Sequence, residues 1–475
     1  MAMMSTHPDY ASLKQAAEAA GQGHIFRHWH QLNEHSRRRL LSQVSTIDFA
    51  QLSKIYTELL RKRRTGGSQM SLEPAEVISL SHQRSHPGEC AAMSEAGAEL
   101  LRRGKVAAIL VAGGQGSRLG FEGPKGIYTF GTPSGKSLFQ VHAEKIRAMA
   151  RRYGAAIPWY IMTSEANHAA TQAFFRENEY FGLPPSDVFF FQQGMMPAID
   201  AEGRIILDAP DHIFMNPDGH GGTLAALGKS GALADMRRRG LEQLFYFQID
   251  NVLIKMCDPL FLGYHAAAGA EMSAKVCSKR DPHEKIGVIG RRHGRLTVIE
   301  YSDMSAADKE MRNPDGTLKY NSGSIAIHVL QVDFVARLIE SGTALPWHVA
   351  HKTIPFINQA GKLIRPTQPN GYKFETFIFD ALGEARGSVV LEVERRQEFS
   401  PIKNASGVDS PETARRDFYN FYGEWLEQCG VTVPRDRDGN VRARIEISPL
   451  FALDAAELAQ KIRPDFKVGE EVYLR

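Results

Sequence analysis

The stretch LVAGGQGSRLGFEGPKG (residues 110–126) holds six glycines, one proline and only two positive charges, Arg118 and Lys125, seven residues apart. It overlaps the end of the apolar run VAAILVA (106–112), which has the composition of a buried strand. Strand, glycine loop, then helix is how α/β proteins seat phosphates, because bare backbone lets N–H groups approach the oxygens closely. Unrelated families share that device and differ in spacing. A dinucleotide-binding turn runs GxGxxG directly into a helix, with an acidic residue about 20 positions on. Here the loop stays irregular to Gly126 and the next helical pattern starts near Ser137. A Walker A loop needs GxxxxGK[ST]. The only approach to it, GTPSGKS (131–137), is one residue too short and reads as an ordinary turn. Two cations on one long loop suit a triphosphate held in line with an attacking group.

Around this loop, short apolar strands alternate with helices, the pattern of a mainly parallel sheet with covering helices. The strands are VAAILVA, PWYIMT (158–163), VFFF (188–191) and LFYFQI (244–249), and helices are expected near 137–153 and 167–178. Phe189, Phe190 and Phe191 are expected to be buried strand aromatics. From about residue 274 the strands come closer together, in KVCSK, IGVIGRRHGRLTVIEYS and YNSGSIAIHVL, which predicts a mixed or antiparallel extension of the sheet. Before the core, Leu13, Ala16, Ala17 and Ala20 and then Leu40, Leu41 and Val44 follow helical spacing. RTGGSQMS (64–71) reads as a turn or linker, and a further helix is expected over about 91–103. Near the end, a helix over 411–427 and GNVRARIEIS make a small α+β unit. The resulting scheme has a helical N-terminal region (1–103), an α/β core (104–405) and a small C-terminal unit (406–475).

Composition narrows the function classes. The chain has 475 residues, 43% hydrophobic and 23% charged, which suits a globular protein of two or three structural units. No run of about 18 apolar residues suggests a membrane span, and MAMMSTHPDYASLKQ lacks the apolar centre of a signal peptide, so a cytoplasmic protein is expected. The net charge of +3 creates no global field toward nucleic acid. The basic runs at 37–39, 61–64 and 237–239 lack interleaved aromatics and read as solvated helix faces. Cys90, Cys257, Cys277 and Cys429 are scattered without CxxC spacing, as reduced and mostly buried thiols rather than a zinc site. His28 and His30 beside Trp29 lack carboxylate or cysteine company at ligand spacing and read as surface or packed histidines.

GGQGSRLGFEGPKG closely resembles the signature loop of sugar-1-phosphate uridylyltransferases of the UDP-N-acetylglucosamine pyrophosphorylase type. Further blocks resemble that family in order: FFQQGMMPAI (190–199), NPDGHGG (216–222), QIDNVLIKMCDP (248–259), EKIGVIG (284–290), VIEYSDM (298–304), KFETFIFDAL (373–382) and EFSPIKNA (398–405). The resemblance implies a Rossmann-like nucleotide-diphospho-sugar transferase core. It also implies a reaction of UTP with a sugar 1-phosphate that yields a UDP-sugar and pyrophosphate.

By this resemblance the backbone of Gly113 and Gly114 holds the nucleotide, Arg118 and Lys125 lie along the UTP phosphates, and Lys403 reaches the sugar phosphate. Gln193 corresponds to the uracil-reading glutamine, while Gly219, Gly221 and Gly222 leave room for nucleoside and sugar, with His220 in a positioning role. Asp250 ends an apolar strand and is the magnesium candidate, since Mg²⁺ takes one or two carboxylates together with phosphate oxygens and water. A turn-capping Asp250 with Asn251 bonded to backbone is the bland alternative. Gly287, Glu300 and Ser324 are the sugar candidates.

Two departures bear on the sugar. His220 stands where the eukaryotic N-acetylglucosamine enzymes carry asparagine, and GSIAIH, with Ser324 and Ile327, stands where they carry GNIANH. N-acetylglucosamine 1-phosphate is the expected substrate, with a UDP-glucose or broad UDP-sugar pyrophosphorylase as the alternative. A dehydrogenase and a catalytically silent sugar-nucleotide-binding protein are the competing classes. Oligomeric state is not fixed by the sequence.

Overall fold

The structure is a computed structural model that describes residues 9–65 and 72–475. The linker expected at 64–71 lies, beyond the end of the helix Phe49–Thr65, outside the described residues, as do the side chains of the basic run at 61–64. Clustered in space, the chain makes two compact units that cut it differently from the sequential scheme of 1–103, 104–405 and 406–475. The smaller draws on the chain up to 65, on 193–222 and on 345–378, and the larger on 72–192, 223–344 and 379–475.

The larger unit is built on a 10-stranded sheet. Four parallel strands form its middle and one end, in the spatial order Gln243–Gln248, Val106–Val111, Trp159–Thr163, Val188–Gln192. Val106–Val111 comes first in the chain among these four, so successive strands step away from it to one side until Gln243–Gln248 is added on its other side. That reversal is a topological switch point, where open α/β sheets leave a crevice at the carboxyl ends of their strands. Gln243–Gln248, Val106–Val111 and Trp159–Thr163 are buried on both faces, which explains their unbroken apolar runs.

Val188–Gln192 is terminal in the sheet order, and this corrects the expectation for its aromatics. Phe191 is buried, but Phe189 and Phe190 are only half-buried, because among the described residues no further strand pairs beyond theirs. On the other side, Ser322–Gln331 pairs antiparallel with Gln243–Gln248 and also with Met272–Ser278. The hairpin Val288–Arg292 with Arg295–Ile299 extends the sheet further, as the close strand spacing predicts.

Local chemistry sets the helix ends. Ser137 caps the helix Leu138–Tyr153 by accepting from the Gln140 N–H at 3.2 Å. Ser410 and Thr413 form a capping box ahead of Pro411–Gln428, with proline in the first turn where its missing N–H costs nothing. This long helix buries Phe418, Tyr422 and Leu426 in the same core as the sheet, together with the parallel pair Arg444–Ile447 and Glu471–Leu474. All four cysteines are unpaired, with Cys257 and Cys277 buried and Cys90 and Cys429 half-buried.

The smaller unit packs the helices Tyr10–Ala19, Glu34–Ser45 and Phe49–Thr65 against short antiparallel pairs. Those pairs are Met195–Pro197 with Met215–Pro217, Leu207–Ala209 with His212–Ile213, and Trp347–Lys352 with Gly371–Thr376. Its core joins Ala17, Leu40, Val44 and Ile55 to Ile199, Ile213 and Phe374. His28 is packed at 5% exposure, while in the short turn Trp29–Gln31 Trp29 is half-buried and His30 exposed. Among the described residues, no helix is long and apolar enough to cross a membrane.

Candidate active site

The glycine loop leaves the carboxyl end of Val106–Val111, and Asp250 follows the carboxyl end of its parallel neighbour Gln243–Gln248, where Val111 and Gln248 are partners. The switch point therefore brings together two segments more than 120 residues apart in the chain. Gly114, Gln115, Ser117, Arg118, Leu119, Lys125, Asp250 and Lys403 line one cavity of about 440 Å³. Five of the sequence-derived candidates meet there: Gly114, Arg118, Lys125, Asp250 and Lys403.

Inside this cavity Lys125 Nζ lies 3.2 Å from Asp250 Oδ2. Burial alone would raise the Asp250 carboxyl, but the charges of Lys125 and then Lys403 outweigh it and hold the group below the usual carboxylate range. Arg118 is exposed on the short turn Ser117–Leu119 and has no carboxylate partner among the described residues. Three cations thus face one carboxylate, an excess of positive charge suited to a polyphosphate.

The loop is irregular yet fixed. The Gly114 carbonyl accepts from the Lys125 N–H at 3.1 Å, which closes the loop and sets where Lys125 begins. Asn167, fully buried, donates through Nδ2 to the carbonyls of Ala112 at 2.9 Å and Gly114 at 3.3 Å, while its Oδ1 accepts from the Ser164 N–H. Behind Asp250, two buried polar residues of the helix Leu138–Tyr153 hold the backbone. His142 Nε2 meets the Ile249 carbonyl at 3.2 Å, and Lys145 Nζ donates to the carbonyls of Val252 and Ile254 at 2.8 Å each. None of these three supports is among the sequence-derived candidates. Asn167 reads in sequence as a helix start, and His142 and Lys145 as ordinary polar positions of an amphipathic helix.

The sugar candidates form a second cluster. The Ser324 N–H donates to the Gly287 carbonyl at 2.8 Å, and a side chain at Gly287 would place its Cβ 3.2 Å from Glu300 Oε1. Ser324 and Glu300 are half-buried. Ile327, by contrast, is 1% exposed in the main core, so this departure from GNIANH faces packing and not a ligand.

Gln193, Gly219 and His220 belong to the smaller unit. Gly219 has φ +86°, and a side chain there would collide with the Thr376 carbonyl oxygen. A Cβ at Gly221 would stop 2.6 Å from the Phe377 nitrogen, and one at Gly222 would run into the Asp218 carboxylate. At all three glycines the direction a side chain would take is occupied by this unit's own chain. His220 stacks on Phe377 at 5.1 Å between ring centroids, and its Nδ1 accepts from the Ile378 N–H at 3.2 Å. The ring proton accordingly sits on Nε2.

A switch-point crevice that sets a cation-bearing glycine loop against a buried carboxylate and a further lysine defines an α/β protein of the phosphate-handling class. The family model described as UTP–glucose-1-phosphate uridylyltransferase matches residues 49–412, and the chain belongs to that family. It is 38% identical over 470 residues to UDP-N-acetylhexosamine pyrophosphorylase-like protein 1 of Xenopus tropicalis, covering 93% of this chain and 92% of the relative. It is 37% identical over 467 residues to the UDP-N-acetylglucosamine pyrophosphorylase of Saccharomyces cerevisiae, covering 94% and 96%. The crystal structure of the uridine diphosphate N-acetylglucosamine pyrophosphorylase from Trypanosoma brucei in complex with inhibitor matches with a TM-score of 0.84 and 27% identity, over 100% of this chain and 99% of that one.

Proposed function

We propose that this protein is a uridylyltransferase that joins UTP and N-acetylglucosamine 1-phosphate to give UDP-N-acetylglucosamine and pyrophosphate. The observation that carries the reading is the convergence of Arg118, Lys125, Asp250 and Lys403 on one cavity at the switch point. Similarity along nearly the whole chain to the yeast enzyme supports the choice of sugar.

In this reaction a phosphate oxygen of the sugar phosphate attacks the α-phosphorus of UTP. A new P–O bond forms, the bond to the bridging oxygen breaks, and pyrophosphate leaves with the electron pair. The nucleophile is already ionised, so no general base is needed, and the protein's task is to position two anions and offset their repulsion. In our reading Gly113 and Gly114 present backbone to the nucleotide, Arg118 and Lys125 flank the UTP phosphates, and Lys403 meets the sugar phosphate. Gln193 reads the uracil, His220 keeps a positioning role as a neutral imidazole, and Gly287, Glu300 and Ser324 contact the sugar.

Among the described residues, no group of three or more His, Cys, Asp or Glu side chains could hold a metal ion. A single carboxylate fits magnesium, which completes its shell with phosphate oxygens and water. Asp250 would hold it, and the ion when bound would neutralise charge on the phosphates. A cytoplasmic location suits the four unpaired thiols.

The direct test is pyrophosphate release from UTP and Mg²⁺ with glucose, galactose, N-acetylglucosamine and N-acetylgalactosamine 1-phosphates, each supplied alone and repeated with EDTA. Release with N-acetylglucosamine 1-phosphate, lost on chelation and restored by Mg²⁺, is expected. Preference for glucose or galactose 1-phosphate would show that Ser324 and His220 reset specificity, and silence with all four would overturn the reading.

A further inference from the structure

Lys403 stands on irregular backbone between the short helix Arg395–Glu398 and the helix Pro411–Gln428. A cation that must meet one phosphate in one place needs that backbone held from outside. The structure supplies the hold from both sides. On the strand side, the Ile402 N–H donates to the Asp250 carbonyl at 3.0 Å. Asn251, 3% exposed, commits both ends of its amide to the same segment: Oδ1 accepts from the Ser400 N–H at 3.1 Å and Nδ2 donates to the Glu398 carbonyl at 2.7 Å. On the helix side, Ser400 Oγ donates to Asp417 Oδ2 at 2.8 Å.

The same helix reaches the other arm of the cavity. Arg415 donates to the Phe130 carbonyl at 2.7 Å and the Tyr419 hydroxyl to that of Gly131 at 3.3 Å, on the segment that continues from the glycine loop. Positions 415 and 419 are about one helical turn apart and share a face, while 417 points away from both. One helix therefore holds the continuation of the Lys125 loop with one face and the Lys403 segment with another.

We propose that Asn251 and Asp417 are positioning residues that set Lys403 against the cavity, a role that rests on reading Lys403 as the sugar-phosphate cation. Asp250 and Asn251 then divide the work of one strand end: the first faces the cavity and the second fixes the opposing lysine. The glycine loop is closed by its own bond from Lys125 to Gly114 and by Asn167. Loss of the Asn251 or Asp417 contacts consequently acts on the sugar-phosphate half of the reaction and spares UTP.

The test uses steady-state rates with each substrate varied in turn, for the wild type, Asn251→Asp, Ser400→Ala, Asp417→Ala and the double variant Ser400→Ala/Asp417→Ala. Asn251→Asp keeps the shape and the acceptor but removes the donor to Glu398. It is expected to lower kcat/KM for the sugar phosphate by on the order of 10-fold or more, with KM for UTP within about twofold. Ser400→Ala and Asp417→Ala should each cost a few-fold, and the double variant no more than the worse single, because both remove one shared bond. Equal changes in both substrates' KM, additive single effects or unchanged kinetics in active variants would each overturn the proposal. Should Asn251→Asp fail to fold, Ser400→Ala and Asp417→Ala, the latter at a partly exposed position, decide the matter alone. A wild type silent with every sugar phosphate would overturn the functional reading and this proposal with it, whereas an active wild type with unaffected variants overturns this proposal only.

Discussion

Gly114 and Gly221 both stand in runs of glycine within blocks that resemble one enzyme family, yet their surroundings are opposite. A Cβ added at Gly114 would meet no atom within 4 Å, while one at Gly221 would stop 2.6 Å from the Phe377 backbone nitrogen. At the first, the missing side chain leaves backbone bare toward a cavity lined by Arg118, Lys125, Asp250 and Lys403. At the second, it lets two pieces of chain touch. The same letter in a motif can therefore stand for exposed backbone or for close packing, and only the neighbours decide which.

The largest effects should come from the charges beside Gly114. Lys125→Ala and Asp250→Ala are each expected to lower turnover by on the order of 10² or more, with thermal unfolding close to that of the wild type. Near-wild-type rates in purified, folded variants would remove these residues from the site.

The contrast itself is tested by a matched pair. Gly221→Ala should destabilise the protein by about 1–3 kcal/mol, because the added methyl group has backbone to displace. Gly114→Ala should leave the unfolding midpoint in place and raise KM for UTP several-fold. If both variants lowered stability alike, or neither changed UTP affinity, the two glycines would not differ in use.

A smaller effect is expected at the sugar cluster, where Ser324→Asn should shift the ratio of N-acetylated to plain hexose phosphates used. An unchanged ratio in competition assays would take Ser324 out of the specificity argument.

A last effect, read as stability against pH and not as turnover, lies behind the site. Burial lowers the Lys145 ammonium from its ordinary 10.5 to about 7, with Glu398 opposing. The native state then sheds this proton before the unfolded chain does, so the unfolded state binds more protons between about pH 7 and pH 10 and stability should rise with pH across that window. Lys145→Met should flatten the rise in denaturant titrations. Identical profiles would mean that the carbonyls of Val252 and Ile254 keep the lysine charged.

Part of the site's charged lining was legible because it is local, a glycine loop after an apolar strand and a carboxylate at the end of another, whereas Lys403 stood out only through the resemblance of EFSPIKNA to a family block. The parallel strands were legible for the same reason, as uninterrupted apolar runs. Asn167, Asn251, His142 and Lys145 were not, since a polar residue that bonds distant carbonyls has the same spelling as one that faces water. Nor does any local pattern mark the smaller unit, whose core pairs Leu40 with Ile213 and Phe374, residues brought together only by tertiary packing.

That smaller unit has a consequence for synthesis. Its N-terminal helices end by residue 65, but Tyr372 and Phe374 complete their core only after more than 300 further residues have been made. At ordinary elongation rates the interval is roughly 15 to 60 s. For that time the apolar faces at Ala17, Leu40, Val44 and Ile55 lack part of their final cover, so the order of synthesis leaves this core open until nearly four-fifths of the chain is made.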